Sequence, residues 1–112
     1  MNNTPQILTT AVKGDQIWFS VAGEIDHHSA KIIRQTMDSE MFVKRPGAVY
    51  LDLSSVDFMD SSGLGLILGR YKCATGLGFE FYIYEPTDAV SKILKLAGCS
   101  KIINIVRKKV KQ

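Results

Sequence analysis

No stretch of this chain approaches the ~20 consecutive apolar residues that a bilayer-spanning helix needs, which excludes a transmembrane reading. The first residues, Met1-Asn2-Asn3-Thr4-Pro5-Gln6, lack a basic segment followed by an apolar one. Nothing there reads as a secretory leader, so a cytoplasmic location is expected. Cysteine is scarce: Cys73 and Cys99 stand 26 residues apart and form no Cys-x-x-Cys unit. Both are expected to be reduced, mostly buried thiols rather than a disulfide or metal pair. Internal repeats, low-complexity segments and Pro- or Ser-rich linkers are missing too. A single domain over residues 1–112 is therefore expected, long enough to bury a core without staples.

Acid is absent from the last twelve residues, which hold Lys101, Arg107, Lys108, Lys109 and Lys111. The net charge of +3 is thus a property of the tail; the preceding hundred residues carry nine basic and eleven acidic side chains. Such a tail could touch nucleic acid or anionic lipid, but no aromatic residue is interleaved with its charges. A solvated end, with neither a direct nucleic-acid nor a membrane partner, is the better reading.

Hydrophobic residues make up 46% and charged residues 22%, as in an ordinary soluble globular domain. Their order predicts an α/β fold. Ile7 to Val12 reads as a first strand and Lys13-Gly14-Asp15 as a turn. Gln16 to Ala22 alternates as a second strand, closing an initial hairpin. Ala30, Ile33, Met37 and Met41 recur at helical spacing, which predicts a helix from about His28 to Met41. Ala48 to Leu53 reads as the next strand. Asp60 or Ser61 then caps a helix with Leu64, Ile67, Leu68 and Tyr71 on one stripe, ended by Gly76 and Gly78. Phe79 to Tyr84 is a strand. Thr87 or Asp88 caps a helix with Val90, Ile93, Leu94 and Ala97 inward, and Ile102 to Val106 is a last short strand or edge. Strands joined by helices are usually parallel with right-handed crossovers, so a small mixed sheet covered by three or more helices is expected.

Two segments stand out: Gly23-Glu24-Ile25-Asp26-His27-His28, and Phe58-Met59-Asp60-Ser61-Ser62-Gly63-Leu64-Gly65. Each follows a strand and precedes a helix, so both should lie beyond the carboxyl ends of their strands, at one end of the molecule. Capping explains the acid and the hydroxyls of the second segment. It does not explain Gly63 and Gly65, each of which costs about 0.5–1 kcal/mol relative to alanine inside a helix. Either the neighbouring sheet or a partner must come close to that backbone. A serine at a helix start is also a well-placed phosphoacceptor, and a phosphate there would turn a nearly neutral surface anionic beside Asp60 and Asp26.

Catalytic readings are weaker. The serines lack a Gly-x-Ser-x-Gly elbow, and adjacent His27 and His28 point in different directions, which suits neither a hydrolase triad nor a metal site. The run Gly63-Leu64-Gly65-Leu66-Ile67-Leu68-Gly69 is neither a phosphate loop nor a dinucleotide fingerprint. The paired N-terminal acids of a phosphoaspartyl receiver are lacking, although Asp52, Asp57 and Asp60 are present. No catalytic residue, metal or cofactor is expected.

Together the two segments, continuing through Ile67-Leu68-Gly69-Arg70-Tyr71-Lys72, resemble the anti-sigma-factor antagonists, bacterial STAS-domain proteins, and most of all their sporulation branch. The resemblance covers nearly the whole chain in element order. It implies a STAS-type fold and a protein that binds an anti-sigma factor which is also a serine kinase, releasing the sigma factor held by that kinase. It further implies inactivation by phosphorylation at Ser61 and resetting by a metal-dependent (PP2C-type) serine phosphatase. The contact surface carried over comprises Glu24, Asp26, His27, His28, Asp60, Ser61, Ser62, Gly63, Leu64 and Gly65. The family's sporulation members end in a further helix, for which this tail is too short. An alternative of another class is a STAS module within a larger signalling or sensing complex, with nucleotide binding as an option.

Overall fold

The computed structural model describes residues 7–108. In chain order it forms β1 (Leu8–Lys13), β2 (Gln16–Ile25), α1 (His27–Lys44), β3 (Ala48–Met59), α2 (Ser61–Gly76), β4 (Glu80–Tyr84), α3 (Asp88–Leu96) and β5 (Asn104–Val106), with one 3-10 turn at Cys99–Lys101. The strands make one sheet in the order β1-β2-β3-β4-β5. β1 is antiparallel to β2, and every later pair is parallel. This is the expected mixed sheet, opened by a hairpin and covered by three helices. Lys109 and Lys111 of the basic tail lie outside the described residues.

Each helix connects a strand to the next one along the same direction of the sheet, so right-handed crossovers place all three on one face. The burial pattern agrees. Ile17, Phe19 and Val21 of β2, Val49, Leu51 and Leu53 of β3, and Phe81 and Ile83 of β4 share one cluster with Ile33, Met37 and Met41 of α1, Ile67 of α2 and Leu94 of α3. The alternate residues project from the other face, where Trp18, Tyr50 and Tyr82 sit directly opposite one another on three neighbouring strands. Their rings stand face to face, Trp18 on Tyr50 at 4.3 Å between centroids and Tyr50 on Tyr82 at 4.8 Å. Tyr84 meets Trp18 edge-on, and the Lys13 ammonium lies 4.6 Å from the Trp18 ring. Each such cross-strand pair contributes roughly 0.5–1.5 kcal/mol beyond its area.

Several sequence expectations change. β2 continues past Ala22 to Ile25 and β3 continues past Leu53 to Met59. The alternation breaks without either strand ending, because β3 carries an extra residue at two places. Ser20 and Ala22 pair with Asp52 and Ser55, and Gly23 and Glu24 pair with Val56 and Phe58. These bulges move the buried positions from alternate residues to Val56 and Met59, three apart. Gly23 takes the left-handed backbone, at φ +91°, within the disturbed register. α1 begins at His27 and runs to Lys44, three residues further than its inward stripe indicated.

On α2 the buried residues are Gly63, Leu66, Ile67 and Ala74, whereas Leu64, Leu68 and Tyr71 are only half-buried. The stripe is rotated because Gly63 seats the first turn against Met59. Ala97 is exposed rather than inward: α3 stops at Leu96, Ala97 is its C-cap, and Gly98 turns the chain at φ +78°. Cys99 is buried and Cys73 half-buried, both as free thiols.

Candidate functional site

The two unusual segments meet as expected. Ile25 pairs with Met59 at the carboxyl ends of β2 and β3, and the Asp60 N–H donates to the Ile25 carbonyl at 3.2 Å. α1 and α2 therefore begin side by side, each behind an aspartate in extended backbone.

Those aspartates are caps. Asp26 Oδ1 accepts from the Ser29 N–H at 2.9 Å, while the Asp26 N–H donates back to Ser29 Oγ at 2.9 Å, a reciprocal box. Ser29 Oγ also donates to the Glu24 carbonyl at 3.0 Å. The Ser29 N–H is the main reason that the Asp26 carboxyl is held below the usual carboxylate range; desolvation opposes it, and the Ser29 hydroxyl and the His28 N–H add to the lowering. Asp60 Oδ1 accepts from the Ser62 N–H at 2.8 Å. Of the two caps that the sequence allowed, Asp60 is the one used.

That choice leaves Ser61 free. It occupies the first position of α2 and is exposed, and among the described residues its hydroxyl has no hydrogen-bond partner. Ser62 is half-buried, with its N–H held by Asp60, and it lines a groove. The two serines are thus unequal: one hydroxyl is presented to solvent, the other belongs to the junction between helices.

The two glycines are unequal as well. A Cβ on Gly63 would lie 2.0 Å from Met59 Cγ and 3.3 Å from Ile25 Cγ2, so the close approach there is made by the sheet. A Cβ on Gly65 would meet nothing within 4 Å, and Gly65 is exposed. Its missing side chain leaves an opening on the surface one turn beyond Ser61. Leu64 is half-buried, and Glu24, His27 and His28 are exposed around the same end. Among the described residues no three His, Cys, Asp or Glu side chains are grouped to hold a metal.

Three features of this end escaped the sequence. Phe58 is 52% exposed, paired with exposed Glu24, because the second bulge turns it out of the alternation. A groove of about 330 Å³ runs between α1 and α2, with His27, Lys31 and Arg34 on one side and Ser62, Gly65 and Leu66 on the other. Beyond it Arg70 Nη1 donates to Asp38 Oδ1 at 2.5 Å, tying α2 to α1. The i, i+4, i+7 spacing of His27, Lys31 and Arg34 was the available signal, but their facing helix was not known.

The arrangement offers a surface with an accessible hydroxyl that, among the described residues, has no hydrogen-bond partner to activate it. The comparisons with known proteins agree with a binding role. The STAS domain model matches residues 7–112. An anti-sigma F factor antagonist of Paenibacillus polymyxa is 38% identical over 76% of this chain and 73% of its own. An anti-sigma-B factor antagonist of Listeria monocytogenes is 33% identical over 81% and 79%. The unphosphorylated form of the antagonist SpoIIAA superposes with a TM-score of 0.79 over 91% of this chain and 88% of that one, at 23% identity, which shows a shared fold. These relatives are regulatory binding proteins rather than enzymes. The chain belongs to the STAS-domain family, among the anti-sigma-factor antagonists.

Proposed function

We propose that this protein is an anti-anti-sigma factor switched at Ser61. Unphosphorylated, it binds an anti-sigma factor that is also a serine kinase and thereby frees the sigma factor held by that kinase. Phosphorylation of Ser61 ends the binding, and a PP2C-type phosphatase restores it. The observation that carries this reading is the solvent-facing, unpartnered Ser61 hydroxyl at the start of α2, beside the α1 start to which the Ile25–Asp60 hydrogen bond ties it. The contact surface is the end formed by Glu24, Asp26, His27, His28, Asp60, Ser61, Ser62, Leu64 and Gly65, with buried Gly63 letting the first turn of α2 sit against Met59.

Two further points support it. A structural neighbour, SpoIIAA, exists in unphosphorylated and phosphorylated forms. A phosphate adds about −1.5 to −2 charge at pH 7, and next to Asp60 and Asp26 it sets like charge and desolvation against any docked surface. The site lies in the cytoplasm on this reading, where kinase and sigma factor are found.

The test is phosphorylation by the anti-sigma factor of the same organism with ATP, followed by mass-spectrometric mapping. Label on Ser61, lost in Ser61→Ala, is the expected result. Label that persists elsewhere in Ser61→Ala, with none on Ser61, overturns the assignment.

A further inference from the structure

We propose that the groove between α1 and α2 is a seat for the phosphate that Ser61 carries in the modified protein, with Lys31 and Arg34 as its cationic wall and His27 at its mouth. This rests on the reading of Ser61 as phosphoacceptor and adds where the phosphate goes.

The groove is lined by three basic side chains and by no carboxylate. Two other cations on these helices have acidic partners: Arg70 has Asp38, and Lys44 has Glu40 at 3.5 Å. Lys31 and Arg34 have none among the described residues. They stand three apart on one helix face, where like charges repel and an anion between them is stabilised. Their volume of about 330 Å³ is open rather than filled by side chains.

On the facing helix, Ser61 lies four residues before Gly65 and shares its side. Gly65 lines the groove and a Cβ there would meet nothing within 4 Å, so no side chain at that position bars the way from Ser61. The opposite direction is closed by charge. Asp60 is fixed on the Ser62 N–H and Asp26 on the Ser29 N–H, so both carboxylates stay at the cap side and repel a dianion. Exposed Glu24 and Asp57 add to that repulsion from the strand ends, and exposed His28 is the remaining titratable group there. A phosphate on Ser61 is thereby driven towards Lys31 and Arg34. Seated there, it covers the opening above Gly65, so modification fills the contact surface as well as charging it.

The test uses the full chain with phosphoserine genetically encoded at position 61, titrated by phosphorus NMR. Cations favour the dianion, so the phosphate midpoint should lie below the value near 6 that is ordinary for phosphoserine. In Lys31→Gln/Arg34→Gln it should rise by about half a unit or more, a roughly threefold change in proton affinity. In Lys92→Gln/Lys95→Gln, which removes two charges from α3, it should stay put. A midpoint equal in the parent and the α1 variant overturns the proposal, and so does an equal shift from the α3 variant. If the unmodified α1 variant loses anti-sigma-factor binding while the phosphate midpoint is unmoved, the groove serves an acidic segment of the partner and the proposal also falls. Because the phosphoserine is encoded, a kinase that never labels Ser61 sinks the proposed function without deciding this titration.

Discussion

Met59 fills the space above Gly63: a Cβ there would lie 2.0 Å from Met59 Cγ and 2.6 Å from its sulfur, and Met59 is buried. Alanine normally gains about 1 kcal/mol over glycine in a helix. At position 63 that gain is outweighed by overpacking, which costs about 1–3 kcal/mol. Gly63→Ala should therefore destabilise the fold by up to about 2 kcal/mol in a denaturant melt. Gly65→Ala, with open space above it, should stabilise by roughly 0.5–1 kcal/mol. Equal effects at the two positions would contradict the packing described.

The serines should separate in binding. Ser61→Asp places a charge on the solvent-facing hydroxyl position and should weaken binding to the anti-sigma factor by about tenfold or more, as measured by calorimetry. Ser62→Ala should remain a substrate of the kinase, since it keeps the exposed Ser61 hydroxyl. Full affinity in Ser61→Asp would count against electrostatic switching.

Asp38 and Arg70 hold α1 to α2 with the guanidinium nearly buried, its side chain 11% exposed. Asp38→Asn leaves that charge without its anion and should cost about 1–2 kcal/mol, less than a fully buried pair because Asp38 is itself partly in solvent. For a domain of this size the melting temperature should drop by roughly 4–12 °C. Arg70→Met, which removes the charge and keeps most of the apolar stem, should cost less.

Asp26 gives a pH signature. Its folded value is depressed by the Ser29 N–H, so its stabilising effect is complete above the ordinary aspartate value near 3.9 and is lost as the pH falls through the lower folded value. The melting-temperature gap between the parent and Asp26→Ala should accordingly be constant from about pH 5 to neutrality and close below about pH 4. A gap that widens on acidification would have the wrong sign.

The inward face of α1 was legible in the sequence because Ala30, Ile33, Met37 and Met41 repeat at the helical period and are all buried. So were the convergence of the two segments and the aspartate cap, which follow from connection rules and local hydrogen bonding. The second half of β3 was not, since a bulge is a two-strand property: only the pairing of Ala22 with Ser55 shows that Leu53 is not the end of the strand. Leu66 was missed for a similar reason. Four apolar candidates crowd α2, and Gly63 against Met59 decides which of them faces the sheet. Lys31 and Arg34 read as solvated charges until α2 is placed opposite them.

Trp18 is the chain's one tryptophan, and it is sandwiched between Tyr50 and the Lys13 ammonium on the side of the sheet that carries no helix. The protein thus holds a native fluorophore whose surroundings depend on the register of β1, β2, β3 and β4, away from the Ser61 end. With docking at the Ser61 end, as proposed, its emission is a gauge of folding that stays silent to binding, so a change in tryptophan signal on mixing with a tryptophan-free partner would mean that the sheet itself had been disturbed.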